Sequence, residues 1–401
     1  MLDPCRAILS FNEGRDPERL QMKYANMRRN AFIFLRGTCH LFYARLAEAG
    51  NILPSPAAWC CGDLHLENFG SYKGDNRLAY FDINDFDEAA MAPLTWDLVR
   101  FVCSVLAGAE SLGLRKPQAR ALGRAFLASY REVLMKGKSR WVERDIASGL
   151  VGTLLGSLAQ RQRAAFLDRR TVRKGAARRL LVDGRKGLPV TPAQRSRVER
   201  FFSEFAPSQP DPAFFKVLDV ARRVAGTGSL GIERYIVLVQ GKGSPNGNFL
   251  LDLKRAQPSS MAASLKRAQP QWKTEAERIV TLQRRLQAVS MAFLHPVKMG
   301  KRDYVLRALQ PSEDRVTLDG AVNSLQEMED VMRTMGEVVA SAHLRGAGRQ
   351  GSAIADELIA FAQKKKWIAD VMAAAQDCSK QLAKDWQAYC KAYDRGFFSQ
   401  N

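Results

Sequence analysis

The sequence predicts an α+β protein in which helix-rich segments at both ends of the chain flank a β-rich segment. Apolar residues at helical spacing recur through most of the chain before residue 220 and after residue 316. Between these segments, the runs 235–240 and 248–254 are rich in β-formers, and the turn 241–247 that joins them is typical of a hairpin. The predicted boundaries are therefore 1–220, 221–315 and 316–401, in a chain of 401 residues that can bury a large core.

The remaining elements follow from the same patterns, taken in chain order. Residues 16–50 indicate helix. Short apolar runs at 57–61 and 78–83, flanked by Gly, Asn and Asp, predict strands, with a turn at 73–76 before the second run. Further elements are expected as helices over 97–135, 147–166, 272–289 and 325–344 and after 351, a strand over 304–309 and a linker at 208–212.

Composition excludes several classes of protein. With 46% hydrophobic and 25% charged residues, the chain is neither disordered nor collagen-like. No apolar run approaches the roughly 20 residues that cross a bilayer, and the first twenty residues lack the pattern of a secretion signal. We therefore expect a cytoplasmic protein without a membrane partner. The seven cysteines are scattered and form no C-x-x-C pair, so reduced thiols are expected in place of a disulfide framework or a zinc site.

The chain is strongly basic, with a formal net charge of +20. Residues 161–200 contain thirteen Lys and Arg against three Asp and Glu, which leaves 13 − 3 = +10 in this segment. Such a block attracts polyanions by releasing counterions. Only Phe166 interleaves it, so a stacking platform for single-stranded nucleic acid is not visible. A solvated basic face and a surface for an anionic partner both stay open.

The densest cluster of polar residues in an apolar setting spans 60–70 (CCGDLHLENFG) and 80–88 (YFDINDFDE). Its acids have almost no compensating Lys or Arg, and crowded carboxylates repel one another unless a cation lies among them. Carboxylate oxygens together with an Asn amide are the ligands that Mg²⁺ prefers. The cluster therefore favours a Mg²⁺ site over acidic turns that cap helices, and its predicted ligands are Asn68 and Asp85, supported by Asp82 or Asp87.

The spacing within this cluster resembles that of protein-kinase-like phosphotransferases. In those enzymes an Asp accepts the proton of the acceptor hydroxyl, while an Asn and a further Asp hold Mg²⁺ against the nucleotide phosphates. Here Asp63 and Asn68 are five residues apart, and Asp85 ends the following predicted strand. The segments 62–68 and 85–87 resemble the Gly-Asp-x-His-x-x-Asn and Asp-Phe-Gly/Asp motifs of the aminoglycoside-phosphotransferase branch, as 96–100 (WDLVR) resembles the start of its next helix.

This resemblance implies roles for two residues of the first motif. Asp63 is the expected catalytic base. His65 lies on the same loop and either orients the loop through a hydrogen bond to a carbonyl or takes part in catalysis. Arg36 either neutralises a phosphate or ties down the acidic loop. The other histidines, His40, His295 and His343, have no companion ligands and are expected to be structural.

The parts that would grip a nucleotide come later in the chain. Residues 226–231 (GTGSLG) precede a predicted strand, and glycines there let backbone N–H groups approach phosphates, although a simple flexible loop has the same composition. Lys254 ends the following strand, where a phosphate-pairing lysine is expected. Glu275 and Glu277 on the next helix are both candidates to pair with Lys254. The residues assigned to ATP are Gly226, Gly228, Ser229, Gly231, Lys254 and Glu277.

This order of motifs implies a circular permutation. The strand near 304–308 stands where the hinge between lobes is expected, and the helix 325–344 resembles the one that normally leads into the catalytic loop. We therefore predict a two-lobed, circularly permuted protein-kinase-like fold, with the β-rich nucleotide lobe in mid-sequence and a helix-rich catalytic lobe from both ends. The whole chain resembles a bacterial family, domain of unknown function 2252, that is assigned to the kinase-like superfamily, on the residues 34–37, 62–70, 81–88, 96–98, 226–231 and Lys254.

The expected function is an ATP- and Mg²⁺-dependent phosphotransferase with an unknown, small-molecule hydroxyl acceptor. Cys61 and Gly62 stand where regulated protein kinases carry His-Arg, which favours a small substrate. Transfer of a nucleotidyl group would use much the same residues. Two other functions stay open, a nucleotide-binding regulator of the pseudokinase type and a nucleic-acid-binding protein that uses the segment 161–200.

Overall fold

The computed structural model describes residues 2–48 and 53–399. Its helices are α1 (Pro4–Asn12), α2 (Pro17–Met27), α3 (Ala31–Gly37), α4 (Cys39–Glu48), α5 (Thr95–Gly108), α6 (Lys116–Lys136), α7 (Gly149–Ala159), α8 (Arg163–Asp168), α9 (Pro192–Phe205), α10 (Ser260–Ala263), α11 (Glu275–Leu286), α12 (Leu325–Gly346), α13 (Ala355–Gln363) and α14 (Lys366–Asp394). Its strands are β1 (Ala57–Cys60), β2 (Phe69–Lys73), β3 (Ala79–Ile83), β4 (Ala90–Pro93), β5 (Thr171–Lys174), β6 (Ala177–Leu180), β7 (Gly187–Leu188), β8 (Val217–Arg223), β9 (Arg234–Val239), β10 (Phe249–Arg255), β11 (His295–Met299) and β12 (Arg302–Ala308). The predicted α+β class is confirmed.

A six-stranded antiparallel sheet occupies the middle of the chain, in the order β11-β12-β10-β9-β8-β7. The expected hairpin of β9 and β10 is present, with Phe249 opposite Val239. The sheet also takes in β7 and most of β8 before residue 221, so the predicted boundary falls inside β8. Sequence alternation is weak there because β8 ends in Arg222 and Arg223, whose charges are paired with acids of other elements.

The helices from the two ends of the chain share one hydrophobic core. Helix α12 packs along α6, and α14 packs along α5. The expected helix over 16–50 is divided into α2, α3 and α4, because Asn30 caps a new helix by accepting a hydrogen bond from Ile33 N–H at 2.8 Å; its last residues, 49–50, lie outside the described residues. In the part of the chain that the structure describes, no helix is both long and apolar enough to cross a membrane.

The basic segment 161–200 contains more regular secondary structure than the sequence predicted. It contains α8, the β5–β6 hairpin, β7 and the first half of α9. Much of its charge is engaged with acids, through the ion pairs of Arg161, Arg170, Arg178, Arg179, Arg195 and Arg197. The block therefore serves partly to attach this segment to the sheet and to the residues that follow it.

A buried charge cluster lies on one face of the sheet, where Asp252 of β10 meets three arginines. Its carboxylate is 2.6 Å from Arg234 on β9, 2.7 Å from Arg223 on β8 and 3.5 Å from Arg307 on β12. Burial alone would raise the pKa of Asp252, but Arg223 and Arg234 hold it well below its usual range. The carboxylate thus stays ionised. Its ion pairs link β8, β9, β10 and β12 through side chains, in addition to the backbone hydrogen bonds of the sheet.

Replacement of this acid tests how far the sheet depends on it. Asp252→Asn leaves three buried guanidinium groups without their counter-charge, so we expect the free energy of unfolding to fall by about 3–5 kcal/mol. Urea unfolding of the full chain measures it. Asp377→Asn is the matched control, because Asp377 is exposed and its ion pair with Lys380 is expected to contribute little. Equal losses in the two variants would contradict a structural role for the cluster.

Candidate active site

A cavity of about 980 Å³ is lined by residues from the six-stranded sheet, from the loop between β8 and β9, and from the helical part of the chain. It brings together ten of the twelve residues predicted for the site. These are Asp63, His65, Asn68, Asp85, Asp87, Gly226, Gly228, Ser229, Gly231 and Lys254. Asp82 and Glu277 are not among the residues that line it.

The loop that carries Asp63 is held by the first turn of α5. Asp97 accepts hydrogen bonds from the backbone N–H of Cys61 at 2.9 Å and of Gly62 at 3.0 Å. The Tyr43 hydroxyl donates to the carbonyl of Gly62 from the other side. Gly62 has a φ of +88°, and a Cβ there would lie 2.3 Å from the carbonyl oxygen of Glu88. Only glycine therefore fits this turn, which fixes where the next side chain, Asp63, enters the cavity.

Asp63 is anchored by Arg100, a residue that the sequence did not single out. The Nε of Arg100 donates to Asp63 Oδ1 at 2.9 Å, and its Nη2 donates to the same oxygen and to the carbonyl of Leu35. The guanidinium is fully buried and stacks on the Phe42 ring at 4.8 Å. Arg100 follows Asp97 by three residues on α5, so the two contact the same loop from one helix face. That spacing within WDLVR was the available signal.

His65 lies behind Asp63. Its Nδ1 accepts a hydrogen bond from Glu67 N–H at 3.1 Å, and its Nε2 is 3.8 Å from Asp63 Oδ2. Burial lowers the pKa of His65 well below its usual value, with Arg36 and Arg100 acting in the same direction, so the ring is neutral. The prediction that His65 bonds to a carbonyl is wrong. Its Nδ1 accepts a hydrogen bond from a backbone N–H and so caps the N-terminal end of the short 3₁₀ turn Leu66–Asn68.

Asn68 joins the loop of Asp63 to that of Asp85. Its Nδ2 donates to the carbonyl of Asp63 at 2.9 Å and to that of Asp85 at 3.1 Å. Its Oδ1 accepts from Asp85 N–H at 2.9 Å. This buried amide therefore holds the two acidic loops in register, and its Oδ1 lies beside the Asp85 backbone at the edge of the cavity.

Lys254 of β10 lies between the carboxylates of Asp85 and Asp87. Its Nζ is 3.5 Å from Asp85 Oδ2 and is in direct contact with Asp87. Burial opposes ionisation of Asp85, but Lys254 and Arg307 hold its pKa below the usual range. Burial and the neighbouring charge of Asp85 raise the pKa of Asp87. The two acids present carboxylate oxygens at one cavity wall, and these are ligands that a divalent cation prefers.

Asp82 was predicted to support the metal, and its position contradicts this. It is buried away from the cavity, where it accepts hydrogen bonds from Ile83 N–H at 2.8 Å and Ala288 N–H at 2.9 Å and lies 3.6 Å from Arg345. Successive side chains of a strand face opposite sides. Asp82 within β3 therefore faces the helical core, whereas Asp85 lies beyond the end of the strand.

The predicted pairing of Lys254 with α11 is also wrong. Glu277 accepts a hydrogen bond from Lys273 N–H at 2.9 Å, at the start of the helix, and Glu275 pairs with Arg278 at 2.6 Å. Carboxylates in the first turn of a helix find free backbone N–H groups close by. The lysine takes Asp85 and Asp87 as its partners, which lie at the same cavity wall.

The glycine loop, residues 224–233, connects β8 to β9 and lies over Asp63. Gly226 and Gly231 have φ values of +72° and +86°. A Cβ at Gly228 would be 2.9 Å from the carbonyl oxygen of Arg36 and 4.0 Å from Asp63 Oδ2. The loop therefore reaches Asp63 without a side chain in between, as expected of a backbone that approaches a ligand closely.

The remaining cationic and histidine candidates have structural partners. Arg36 pairs with Glu67 at 2.6 Å, so it ties down the acidic loop. His343 contacts the Tyr130 hydroxyl at 2.8 Å, His40 stacks on Phe11 at 3.8 Å, and His295 packs edge-on against Phe205.

A buried group of Cys60, Asp97 and His343 is the closest approach to a metal-ligand set among the described residues. His343 Nε2 is 3.5 Å from Asp97 Oδ2. Both Asp97 oxygens already accept the loop amides, and burial raises the pKa of the Cys60 thiol well above its usual value. The group therefore acts as the buried support of the loop that carries Asp63.

Comparison with known protein families places the sequence with the family described as "Uncharacterized protein conserved in bacteria (DUF2252)", which matches residues 15–392. The chain belongs to this family. The matched region includes every residue of the cavity that was predicted from the sequence. No curated protein and no solved structure matches the sequence.

A glycine exchange tests the loop geometry. Gly62→Ala and Gly184→Ala both introduce a side chain at positive φ, at +88° and +71°, which costs about 1–2 kcal/mol of unfolding free energy. Only Gly62→Ala also forces a contact with a backbone carbonyl, because a Cβ at Gly184 meets nothing within 4 Å. We expect Gly62→Ala to lose clearly more stability in urea unfolding. Equal losses would show that the turn before Asp63 is not tightly enclosed.

Proposed function

We propose that this protein transfers the γ-phosphoryl group of ATP to the hydroxyl of a small acceptor in a Mg²⁺-dependent reaction. One observation carries the proposal: Lys254 meets Asp85 and Asp87 in the cavity that also holds Asp63 and the glycine loop. A lysine, paired acids, an Asn and an anchored Asp are the parts that phosphoryl transfer requires.

The order of elements supports a permuted protein-kinase-like arrangement. Strand β8, the glycine loop, β9 and the lysine-bearing β10 form consecutive antiparallel neighbours, and α11 separates β10 from β11 and β12. The loop of Asp63 and the acids after β3 come from the preceding part of the chain, and α12 completes the helical core from the following part. We infer that the nucleotide lobe is inserted between two pieces of the catalytic lobe.

Asp85, Asp87 and the Oδ1 of Asn68 fit a Mg²⁺ ion, because they are oxygen donors at one cavity wall and two of them are ionisable. When bound, the metal would neutralise charge on the phosphate oxygens. Lys254 would pair with the same phosphates, and the backbone N–H groups of the glycine loop would donate to them.

Asp63 would act on the acceptor. Its Oδ1 is held by Arg100, which leaves Oδ2 to accept the proton of the acceptor hydroxyl. The acceptor oxygen then forms a bond to the γ-phosphorus as the bond to the ADP oxygen breaks, and the proton stays on Oδ2. Arg100 thus positions the base, and positioning together with charge neutralisation supplies most of the rate.

A second proposal is that the segment 161–200 binds a polyanion through those of its basic residues that have no acidic partner. Within the described residues, no ion pair engages Arg163, Arg169, Arg173, Lys174, Arg185, Lys186 and Arg200. The paired arginines of the same segment reduce the charge left for such a partner, so this proposal is second to phosphoryl transfer.

The base is tested by Asp63→Asn. We expect ATP turnover with Mg²⁺ to fall by about 10²–10⁴-fold, the usual contribution of a general base, while the stabilisation by a non-hydrolysable ATP analogue in a thermal-shift assay is kept. A wild type that binds the analogue but never consumes ATP would support the regulator in place of the enzyme. Unchanged turnover in the variant would exclude the role of Asp63.

The metal assignment is tested by one variant in the loop after β3 and one control variant within β3. Asp85→Asn removes a cavity carboxylate, so we expect the Mg²⁺ concentration for half-maximal activity to rise by about tenfold or more. Asp82→Asn is the matched control: it changes the same residue type three positions earlier, outside the cavity, and should alter stability but not the Mg²⁺ dependence. A greater Mg²⁺ effect in Asp82→Asn would overturn the assignment.

A further inference from the structure

Two cationic side chains from the N-terminal helices lie directly beneath the glycine loop. Arg15, between α1 and α2, donates from Nη1 to the carbonyl of Gly228 at 3.0 Å and to that of Leu230 at 3.4 Å. Lys23 of α2 donates to the same Gly228 carbonyl at 3.2 Å and to Asn12 Oδ1 at 2.8 Å. Arg15 lines the cavity, and Lys23 is completely buried behind it.

Neither cation has a carboxylate within ion-pair distance among residues 2–48 and 53–399. Four other arginines that line the cavity share two acidic partners: Arg36 and Arg315 pair with Glu67, and Arg197 and Arg302 pair with Glu233. Glu88 lines the same cavity, and its carboxylate accepts hydrogen bonds from the N–H of Ser260 at 2.6 Å and from the Ser260 hydroxyl at 2.8 Å.

The electrostatics of this pair show that burial outweighs the attraction of Glu88 for Arg15 and of Glu88 and Asp63 for Lys23. Burial lowers the pKa of Arg15 to about 10. Burial and the neighbouring Arg15 lower the pKa of Lys23 well below its usual value. Buried cations without a counter-charge destabilise a protein, and an anion that enters the cavity offsets this cost.

Arg15 also has hydrogen-bond donors left over for a ligand. Within the described residues both of its hydrogen bonds come from Nη1, so Nε and Nη2 are free to donate. The guanidinium carbon lies 4.8 Å from the centre of the Phe11 ring, which holds the group in one plane against the cavity wall. A fixed guanidinium edge with free donors matches the two oxygens of a phosphate or carboxylate.

The position of the pair relative to Asp63 assigns the ligand. Gly228 contacts both the cations and the proposed base. Its carbonyl accepts hydrogen bonds from Arg15 and Lys23, and a Cβ on its Cα would be 4.0 Å from Asp63 Oδ2. A single residue of the glycine loop, Gly228, therefore separates the two cations from the proposed base. Lys254 enters from β10, a different element, and has its own acids.

We propose that Arg15, backed by Lys23, binds an anionic group of the acceptor, so that the substrate is a small hydroxyl compound that carries a phosphate or a carboxylate. This inference rests on the proposed phosphotransferase function and names its substrate class. The anionic group would anchor the molecule at Arg15 while its hydroxyl reaches Asp63.

The first experiment measures the binding of inorganic phosphate by calorimetry, with Mg²⁺ and a non-hydrolysable ATP analogue at saturation so that the nucleotide phosphates occupy their own subsite. We expect Arg15→Gln to raise the Kd of phosphate by about tenfold or more, the value of a charge-assisted hydrogen bond, and Arg15→Lys to recover part of the affinity. Arg222→Gln is the matched control, because Arg222 pairs with Asp16 and Glu18 at the same junction but does not line the cavity.

The second experiment distinguishes the two anionic groups by turnover. Glycerol 3-phosphate and glycerate are compared with glycerol as acceptors for the wild type. We expect a charged acceptor to be preferred, and Arg15→Gln to raise its KM more than that of ATP. Preference for glycerol 3-phosphate identifies a phosphate, and preference for glycerate identifies a carboxylate.

Each outcome decides between an anion subsite and a simple latch of the loop. Unchanged phosphate affinity in Arg15→Gln overturns the inference, as does an equal loss in Arg222→Gln, which would mean that only the junction matters. Phosphate binding that is lost in Lys254→Met but kept in Arg15→Gln overturns it as well. Phosphate binding that depends on Arg15 in a protein that neither binds the ATP analogue nor consumes ATP supports the anion site and rejects the phosphotransferase.

Discussion

The contact of Lys254 with Asp85 and Asp87 is the interaction on which the arrangement of the site depends. It joins the central sheet to the loop after β3, across 169 residues of sequence. Burial of a lysine costs free energy that nearby acids offset, and crowded acids repel one another unless a cation lies among them. The sheet therefore supplies the cation and the loop after β3 supplies the acids, and the cavity forms where these two elements meet.

Helix α5 sets the second constraint, because it positions the proposed base through two residues. Asp97 fixes the backbone before Asp63, and Arg100 fixes its carboxylate. Both belong to a helix whose remaining residues are almost all buried in the helical core. The location of Asp63 thus depends on the packing of a helix as well as on the turn at Gly62, as precise positioning requires.

Local patterns were sufficient for the class of fold and for most of its elements. The alternation and the glycine-rich turn of β9 and β10 identified the hairpin, and the helical spacing of α11 and α12 identified those helices within a few residues. The short strands β5 to β7 were missed because they lie in a segment crowded with arginines. Strand β6 has a partner that sequence spacing does not show, Asp219 of β8, which accepts a hydrogen bond from Leu180 N–H at 2.9 Å.

For the site, the chain revealed residue types and spacing but not the choice among equivalent residues. The sequence assigned Asp85 to the metal and left Asp82 and Asp87 as alternatives for its support. The strand end, which turns Asp82 inward and leaves Asp87 at the cavity, distinguished these two. Arg100 stood in the segment WDLVR, but its contact with Asp63 is visible only in the fold, and Arg15 could not be picked out of 61 Lys and Arg residues because its role comes from packing against Gly228. Tertiary contacts, not local preference, decide which charges meet.

The N-terminal helices also determine which way the glycine loop presents its donors. Arg15 and Lys23 draw the carbonyl of Gly228 toward α1 and α2. A trans peptide unit is planar, so the N–H of Ser229 points in the opposite direction to that carbonyl. Asp16 N–H holds the carbonyl of Gly231 in the same way, at 2.9 Å. The cations beneath the loop thus prepare the amides on its other side for an anion, and the same two residues serve both the loop and the acceptor that we infer.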